Sequence, residues 1–172
     1  NHNGFHGLNS SNNRQSAAII AVRRVSRLWH NSALSQITFG NQMEDVVIVD
    51  AARSAVGRRN GSLGLVHPTD TLGHTMMKML ERSNVSSDNV DQVIGGCINK
   101  LGAQGMNVAR TAWLSHGGAE ETPCITIDSQ CGSSQEAVHL ATSILRSGMA
   151  ECVIACGVEN MSRLPIGTDS VG

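Results

Sequence analysis

Short apolar runs alternate with longer amphipathic stretches along most of this chain. VVIVDA at 46–51 is nearly continuous and reads as a central strand covered on both faces. VDQVIGGCI, TPCITID and ECVIACGV read as three further strands. Between them the period changes to 3.6. Pro68 suits the first turn of a helix over PTDTLGHTMMKMLERS, in which Leu72, Met76, Met79 and Leu80 share one face. Asn107 to His116 reads as a second helix stopped by Gly117 and Gly118. A third helix follows from Cys131, with Ala137, Leu140, Ala141, Ile144, Leu145 and Gly148 in helical register. Only Glu136 and Arg146 break its apolar character, so it is expected to be largely buried. Strands alternating with helices at this spacing imply βαβ units and a mainly parallel sheet.

The first 42 residues have a different character. They are rich in Asn and Ser, carry Arg14, Arg23, Arg24 and Arg27, and hold no acidic residue before Glu44. SAAIIAVRRVSRLW within them could form a basic helix. Arg- and Ser-rich, acid-poor composition is that of an organellar transit segment. Met43, however, stands directly before EDVVIVDAARSAVG, where an initiator would fit. The expectation is a disordered or non-native leader over 1–42 and a folded domain over 43–172.

Composition narrows the chemistry. With 13 basic and 14 acidic residues the formal charge is −1, which gives no electrostatic case for nucleic acid. Two Phe, two Trp and no Tyr leave few stacking platforms for single strands. No apolar run reaches the roughly 18 residues of a membrane span. The loop RSAVGRRNGSLGLV at 53–66 has neither phosphate-cradle spacing, so Arg53, Arg58 and Arg59 are read as solvated or inter-subunit charges. Four of the five cysteines, Cys97, Cys124, Cys152 and Cys156, fall in strand-like runs. They are expected as reduced core thiols in a reducing, cytoplasmic setting, with matrix or peroxisome as the alternative should 1–42 be a targeting segment. No C-x-x-C occurs, and no metal site is expected.

Cys131 is the exception. It lies at the junction of strand and helix, where helix-terminal N–H groups and the helix dipole favour a thiolate. Gly132 and Ser133 leave room for a substrate. A packed core thiol is the alternative. A nucleophilic cysteine needs a proton acceptor. His2, His6 and His30 lie in the leader, and His67, His74 and His116 read as capping or surface residues. His139 is eight residues along the same helix, about 12 Å away at 1.5 Å per residue. None is an evident partner.

The stretch CITIDSQCGSSQEAVHLA at 124–141 resembles the active-site strand and helix of thiolases, the acyl-CoA acyltransferases. GVENMSRLP at 157–165, DVVIVDAARSAVGRRNGSL at 45–63 and NVARTAWLSHG at 107–117 resemble further segments of that family, in the family's order. The resemblance implies an α/β, thiolase-like layered fold of which this chain is the N-terminal half. It implies that Cys131 becomes acylated, with acyl-CoA and coenzyme A as substrates and no bound cofactor. It further implies that NKLGAQGM at 99–106 reaches a neighbouring subunit in a homodimer or homotetramer. The activating histidine and a second, acid–base cysteine are expected from a C-terminal half, so the fragment alone is expected to be inactive. Where the family commonly has asparagine and arginine, this chain has Asp128 and Ser129. The competing expectation is a non-catalytic thiolase-like protein that binds acyl groups or lipid, or acts only in assembly.

Overall fold

The computed structural model describes residues 16–23 and 45–170. Five strands and three α-helices follow one another: β1 (Ser16–Arg23), β2 (Val46–Arg53), α1 (Pro68–Ser83), β3 (Gln92–Gly96), α2 (Val108–Ser115), β4 (Cys124–Ile127), α3 (Ser133–Arg146) and β5 (Cys152–Val158). The strands form one mixed sheet in the order β2-β1-β5-β3-β4. β3 runs parallel to both β4 and β5, as the alternating pattern predicts. β1 runs antiparallel to both of its neighbours, β2 and β5.

β1 lies inside the stretch expected to be a leader, and its first eight helix-compatible residues are a strand instead. The reason is local. Ile19 and Ile20 are β-branched, and side chains on a strand alternate between the two faces. Ala18 and Ile20 enter the core on one face, and Ala21 enters it on the other. The remaining residues of 1–42 lie outside those described.

β2 also departs from expectation. It is an edge strand, paired only with β1 among the described residues, and none of its residues is fully buried. Ile48 is 61% exposed and Val49 46%. A bulge leaves Val49 between the Ile20–Asp50 and Ala21–Ile48 pairs. Arg82 at the end of α1 ties this edge down. Its guanidinium donates to both Asp50 carboxylate oxygens, at 2.8 and 2.6 Å, and to the Ala51 carbonyl at 2.9 Å. That fork holds the Asp50 carboxyl below the usual carboxylate range.

α1 and α2 begin at side-chain caps. His67 caps α1, its Nδ1 accepting from Thr69 N–H, and Pro68 follows at the first helical position. Asn84 ends the helix in the left-handed conformation, and Val85 N–H reaches back to the Leu80 carbonyl at 3.1 Å. Leu72, Met76, Met79 and Leu80 face the core as the period predicts. Asn107 caps α2 and docks it on β4. Its Oδ1 accepts from Arg110 N–H at 3.0 Å and Thr126 hydroxyl at 2.7 Å, while its Nδ2 donates to the Cys124 carbonyl at 2.8 Å.

Two apolar clusters lie on opposite faces of the sheet. One joins α1 and α2 to Ala18, Ile20, Val93, Ile154, Cys156 and Val158; the other joins α3 to Ala21, Ile94, Val153 and Ala155. Along β5 consecutive residues alternate between them, which is the period-2 rule for a strand buried on both sides. On α3 only Ser133, Ala137, Ala141 and Leu145 are fully buried. The expected burial of most of the helix is therefore replaced by a single stripe at four-residue spacing.

Two glycines set how closely α3 approaches. A Cβ on Gly96 would lie 2.5 Å from Ser134 N and 2.6 Å from Ser133 C, and one on Gly157 would lie 1.8 Å from Ser134 Oγ. At Gly96 the obstacle is helix backbone, so no side-chain rotation relieves it. Gly96→Ala is expected to push the start of α3 off the sheet and lower stability by about 1–3 kcal/mol, read as a fall in the urea midpoint.

Candidate active site

Cys131 sits where β4 has ended and α3 has not quite begun. The first helical residue is Ser133 and the N-cap is Gly132, so the cysteine precedes the helix rather than occupying its first turn. Residues 128–133 form a compact turn built from their own hydrogen bonds. Gly132 N–H donates to the Ser129 carbonyl and Ser133 N–H to the Gln130 carbonyl, both at 3.1 Å. The Ser133 hydroxyl accepts from Ser129 N–H at 2.9 Å and donates to the Gln130 carbonyl at 2.6 Å. Gln130 is held at φ +53°, in the left-handed region that a side chain with a Cβ enters at a cost of roughly 1–3 kcal/mol. Asp128 Oδ1 accepts from the Gln130 N–H at 2.8 Å, and Lys100 Nζ lies 3.2 Å from its other oxygen. Cys131 itself is exposed.

The other four thiols differ. Burial pushes Cys97 up to about 12, with the neighbouring Glu159 carboxylate adding to the effect, and pushes Cys152 up to about 11. Burial also raises Cys124 and Cys156. All five are free thiols. An alkylating reagent at neutral pH is expected to modify Cys131 first, because the reactive species is an accessible thiolate. Peptide mapping after a short pulse of iodoacetamide checks this, and prior labelling of any other cysteine would contradict it.

The histidines lie elsewhere. His67 is occupied as the α1 cap. His74 and His116 meet edge to face between α1 and α2, with ring centroids 4.7 Å apart. Both belong to the face of the sheet opposite α3. His139 Nδ1 lies 3.2 Å from the Glu136 carboxylate on α3. Among the described residues, none of these imidazoles is hydrogen-bonded to Cys131.

Glu159 is the group that sequence reasoning missed. Its carboxylate accepts from Ile98 N–H and Gln104 Nε2, both at 2.8 Å, and from Asn99 Nδ2 at 3.4 Å. It thereby anchors the 99–106 loop to the end of β5. Gln104 is completely buried and its Oε1 accepts from Asn160 N–H at 2.6 Å. Asn160 in turn donates to the Gly64 and Val66 carbonyls, and Ser162 Oγ accepts from Asn60 N–H. The ENMS residues thus gather both neighbouring loops at the end of the parallel strands that carries Cys131. The hints in the sequence were the resemblance of GVENMSRLP to a family segment and a pair of polar residues following a fully apolar strand, and neither assigned Glu159 a role. Arg53, Arg58 and Arg59 are exposed, as expected.

A hollow of about 380 Å³ lies at the other end of these strands, lined by Asp88, Asp91, Glu121, Thr122 and neighbours. Its carboxylates suit no anionic ligand. Among the described residues no cluster of three or more His, Cys, Asp or Glu side chains is placed to hold a metal ion. No described helix is long and apolar enough to cross a membrane.

Acid sensitivity follows from the turn. The Gln130 N–H, with help from Lys100, holds the Asp128 carboxyl below its usual range. A depressed folded-state value stabilises the fold above the unfolded value near 3.9, and that contribution is lost as pH falls through the folded value. Asp128→Asn is expected to flatten the acid limb of the stability curve below about pH 4 and to leave its shape near neutrality unchanged, as followed by urea midpoints.

Comparison with known proteins places this geometry. Residues 46–171 match the family described as "Thiolase, N-terminal domain". A steroid 3-ketoacyl-CoA thiolase of Mycobacterium tuberculosis, FadA6, is 41% identical over 129 residues, covering 75% of this chain and 32% of that protein. An acetyl-CoA acetyltransferase of Cupriavidus necator is 44% identical over 124 residues, covering 72% and 31%. The crystal structure of the Bacillus anthracis acetyl-CoA acetyltransferase superimposes with a TM-score of 0.59 at 28% identity, over 87% of this chain and 31% of that one. The chain spans about a third of the length of the curated relatives it matches. With the family match running from β2 to the end of the described residues, and Cys131 on the turn between β4 and α3, this chain belongs to the thiolase family through its N-terminal domain.

Proposed function

We propose that this domain supplies the acylated nucleophile of a thiolase-type acyltransferase, and that Cys131 is that nucleophile. The observation that carries the reading is the contrast among the thiols: Cys131 is exposed on a braced, strained turn, and burial holds the others protonated. In the thiolytic direction Cys131 sulfur bonds to the 3-keto carbon of a 3-oxoacyl-CoA. The bond between C2 and C3 breaks, and its electron pair leaves on the acetyl-CoA fragment, which takes a proton. The thiol of free coenzyme A then attacks the acyl–cysteine thioester and releases acyl-CoA. Covalent catalysis splits one difficult carbon–carbon cleavage into two easier steps. The reverse sequence is a Claisen condensation.

The base that takes the Cys131 proton, the acid–base partner for the acetyl carbanion and most of the coenzyme A site are assigned to the part of the longer protein that its relatives' greater length implies. Residues 43–172 by themselves are therefore expected to be inactive. Oxyanion stabilisation is required at each tetrahedral intermediate. A homodimer or homotetramer fits the 99–106 loop, where Met106 is 93% exposed and Leu101 40%. A cytoplasmic setting fits the five free thiols. The test is to offer an isotopically labelled 3-oxoacyl-CoA to the longer protein, quench, and map the label. Label on Cys131 is expected; label on another side chain would end the assignment.

A further inference from the structure

We propose that Lys100 and Asp128 are positioning residues, which together hold Gln130 in its left-handed conformation and so fix the backbone on which Cys131 is carried. The catalytic meaning of this brace rests on the acyl-transfer reading above; its geometry does not.

The strain at Gln130 needs a compensating contact, since φ +53° is unfavourable for a residue with a Cβ. Most bonds of the turn are made by backbone groups and the Ser133 hydroxyl. Asp128 is the one ionised acceptor among them, and it takes the N–H of the strained residue itself at 2.8 Å. A carboxylate with one oxygen engaged can still rotate. Lys100 fixes the second oxygen at 3.2 Å, and its ammonium is tethered in turn to the Ile98 carbonyl at 3.4 Å.

Lys100 is well placed to act as a fixed post. Its neighbour Asn99 is 1% exposed and donates to Glu159, Leu164 and Pro165, and Ile98 N–H is bonded to Glu159. A chain of contacts therefore runs from Glu159 through the 98–100 backbone to Lys100, Asp128, Gln130 and Cys131. Exposed ion pairs contribute little to stability, and this pair is about one-third exposed on each side. Its role is thus geometric. Asparagine, which the family commonly has at this position, could cap Gln130 through its amide oxygen but could not pair with Lys100.

The experiment uses the whole chain and two readouts: hydrogen exchange of the Gln130 amide by NMR, and the rate of Cys131 alkylation by iodoacetamide at neutral pH. Asp128→Ala removes a charge-assisted bond, so Gln130 exchange is expected to rise about tenfold and the alkylation rate to change at least about threefold. Asp128→Asn keeps an acceptor for Gln130 but loses the pairing with Lys100, so exchange is expected to rise about threefold, between the parent chain and Asp128→Ala. Lys100→Met is expected to shift both readouts about threefold with Asp128 present, and to add nothing in an Asp128→Asn background. Should Asp128→Ala fail to fold, the Lys100→Met and Asp128→Asn cycle decides alone. The proposal is overturned if a folded Asp128→Ala chain leaves both readouts within twofold, or if Lys100→Met acts equally in both backgrounds. Lack of acylation at Cys131 in the longer protein would end the acyl-transfer reading and leave these measurements standing.

Discussion

Cys131→Ser in the longer protein should lower 3-oxoacyl-CoA thiolysis by roughly 10⁴-fold or more, with the fold intact. A serine hydroxyl stays protonated at neutral pH, and the ester it would form lacks the reactivity of a thioester. The substitution creates no cavity, because the side chain is exposed. The other thiols are poor substitutes: burial raises Cys97 to about 12 and Cys152 to about 11, far above neutrality. Turnover should be followed by loss of the 3-oxoacyl-CoA absorbance with added coenzyme A, and thermal unfolding should show an unchanged midpoint. Residual activity above a few per cent would place the nucleophile elsewhere.

Ile20→Asp should have the largest effect on the fold. Ile20 is completely buried in the cluster that α1 and α2 share with the sheet. An aspartate there loses the apolar transfer energy of isoleucine and buries a charge without a partner, together about 5–8 kcal/mol. That is a large share of the 5–15 kcal/mol that holds an ordinary domain together. The damage should be uneven. β2 pairs with no described strand except β1, whereas β3 keeps both β4 and β5. Amide exchange should therefore speed up first in β1 and β2, then in β5, and last in β3 and β4. Unchanged protection in β2 would show that its place in the sheet does not depend on β1.

The sequence was most legible where two independent signals agreed. α1 had both a proline start and a core face, and Asn107 and Gly117 bracketed α2, so these helices stand where they were expected. β5 was read as a strand from its apolar run, and every residue of it is buried. The elements that differed were those whose surroundings decide their state. VVIVDA reads the same on an edge as in the middle of a sheet, and only the partner list distinguishes them. β1 was obscured by its flanks: the arginines and the lack of acids suggested a leader, and the short run AAIIAV gave no decisive period. α3 was read as largely buried because Leu140 and Ile144 fit a helical core with Ala137, Ala141 and Leu145, yet Leu140 and Ile144 are only half-buried. At the site, Cys131 and its neighbours were legible from residue type and order. Glu159 and Lys100 were not, because each acts on the turn across a gap of tens of residues that no local pattern encodes.

The antiparallel strand β1, second in the sheet, also governs how the chain can assemble. Ser16 pairs with Val158, so the seam between β1 and β5 joins residues near opposite ends of the described region. On a ribosome, β5 is the last of the five described strands to emerge, and until then β1 lacks its pairing with β5 and has only β2 of its two sheet neighbours. Pairings this distant in sequence must close a long loop before they contribute, which slows folding toward the millisecond-to-second range. During that interval Ile20, Ile48 and Val49 face water on an unsealed ribbon, the kind of surface that draws chaperones or a second nascent chain.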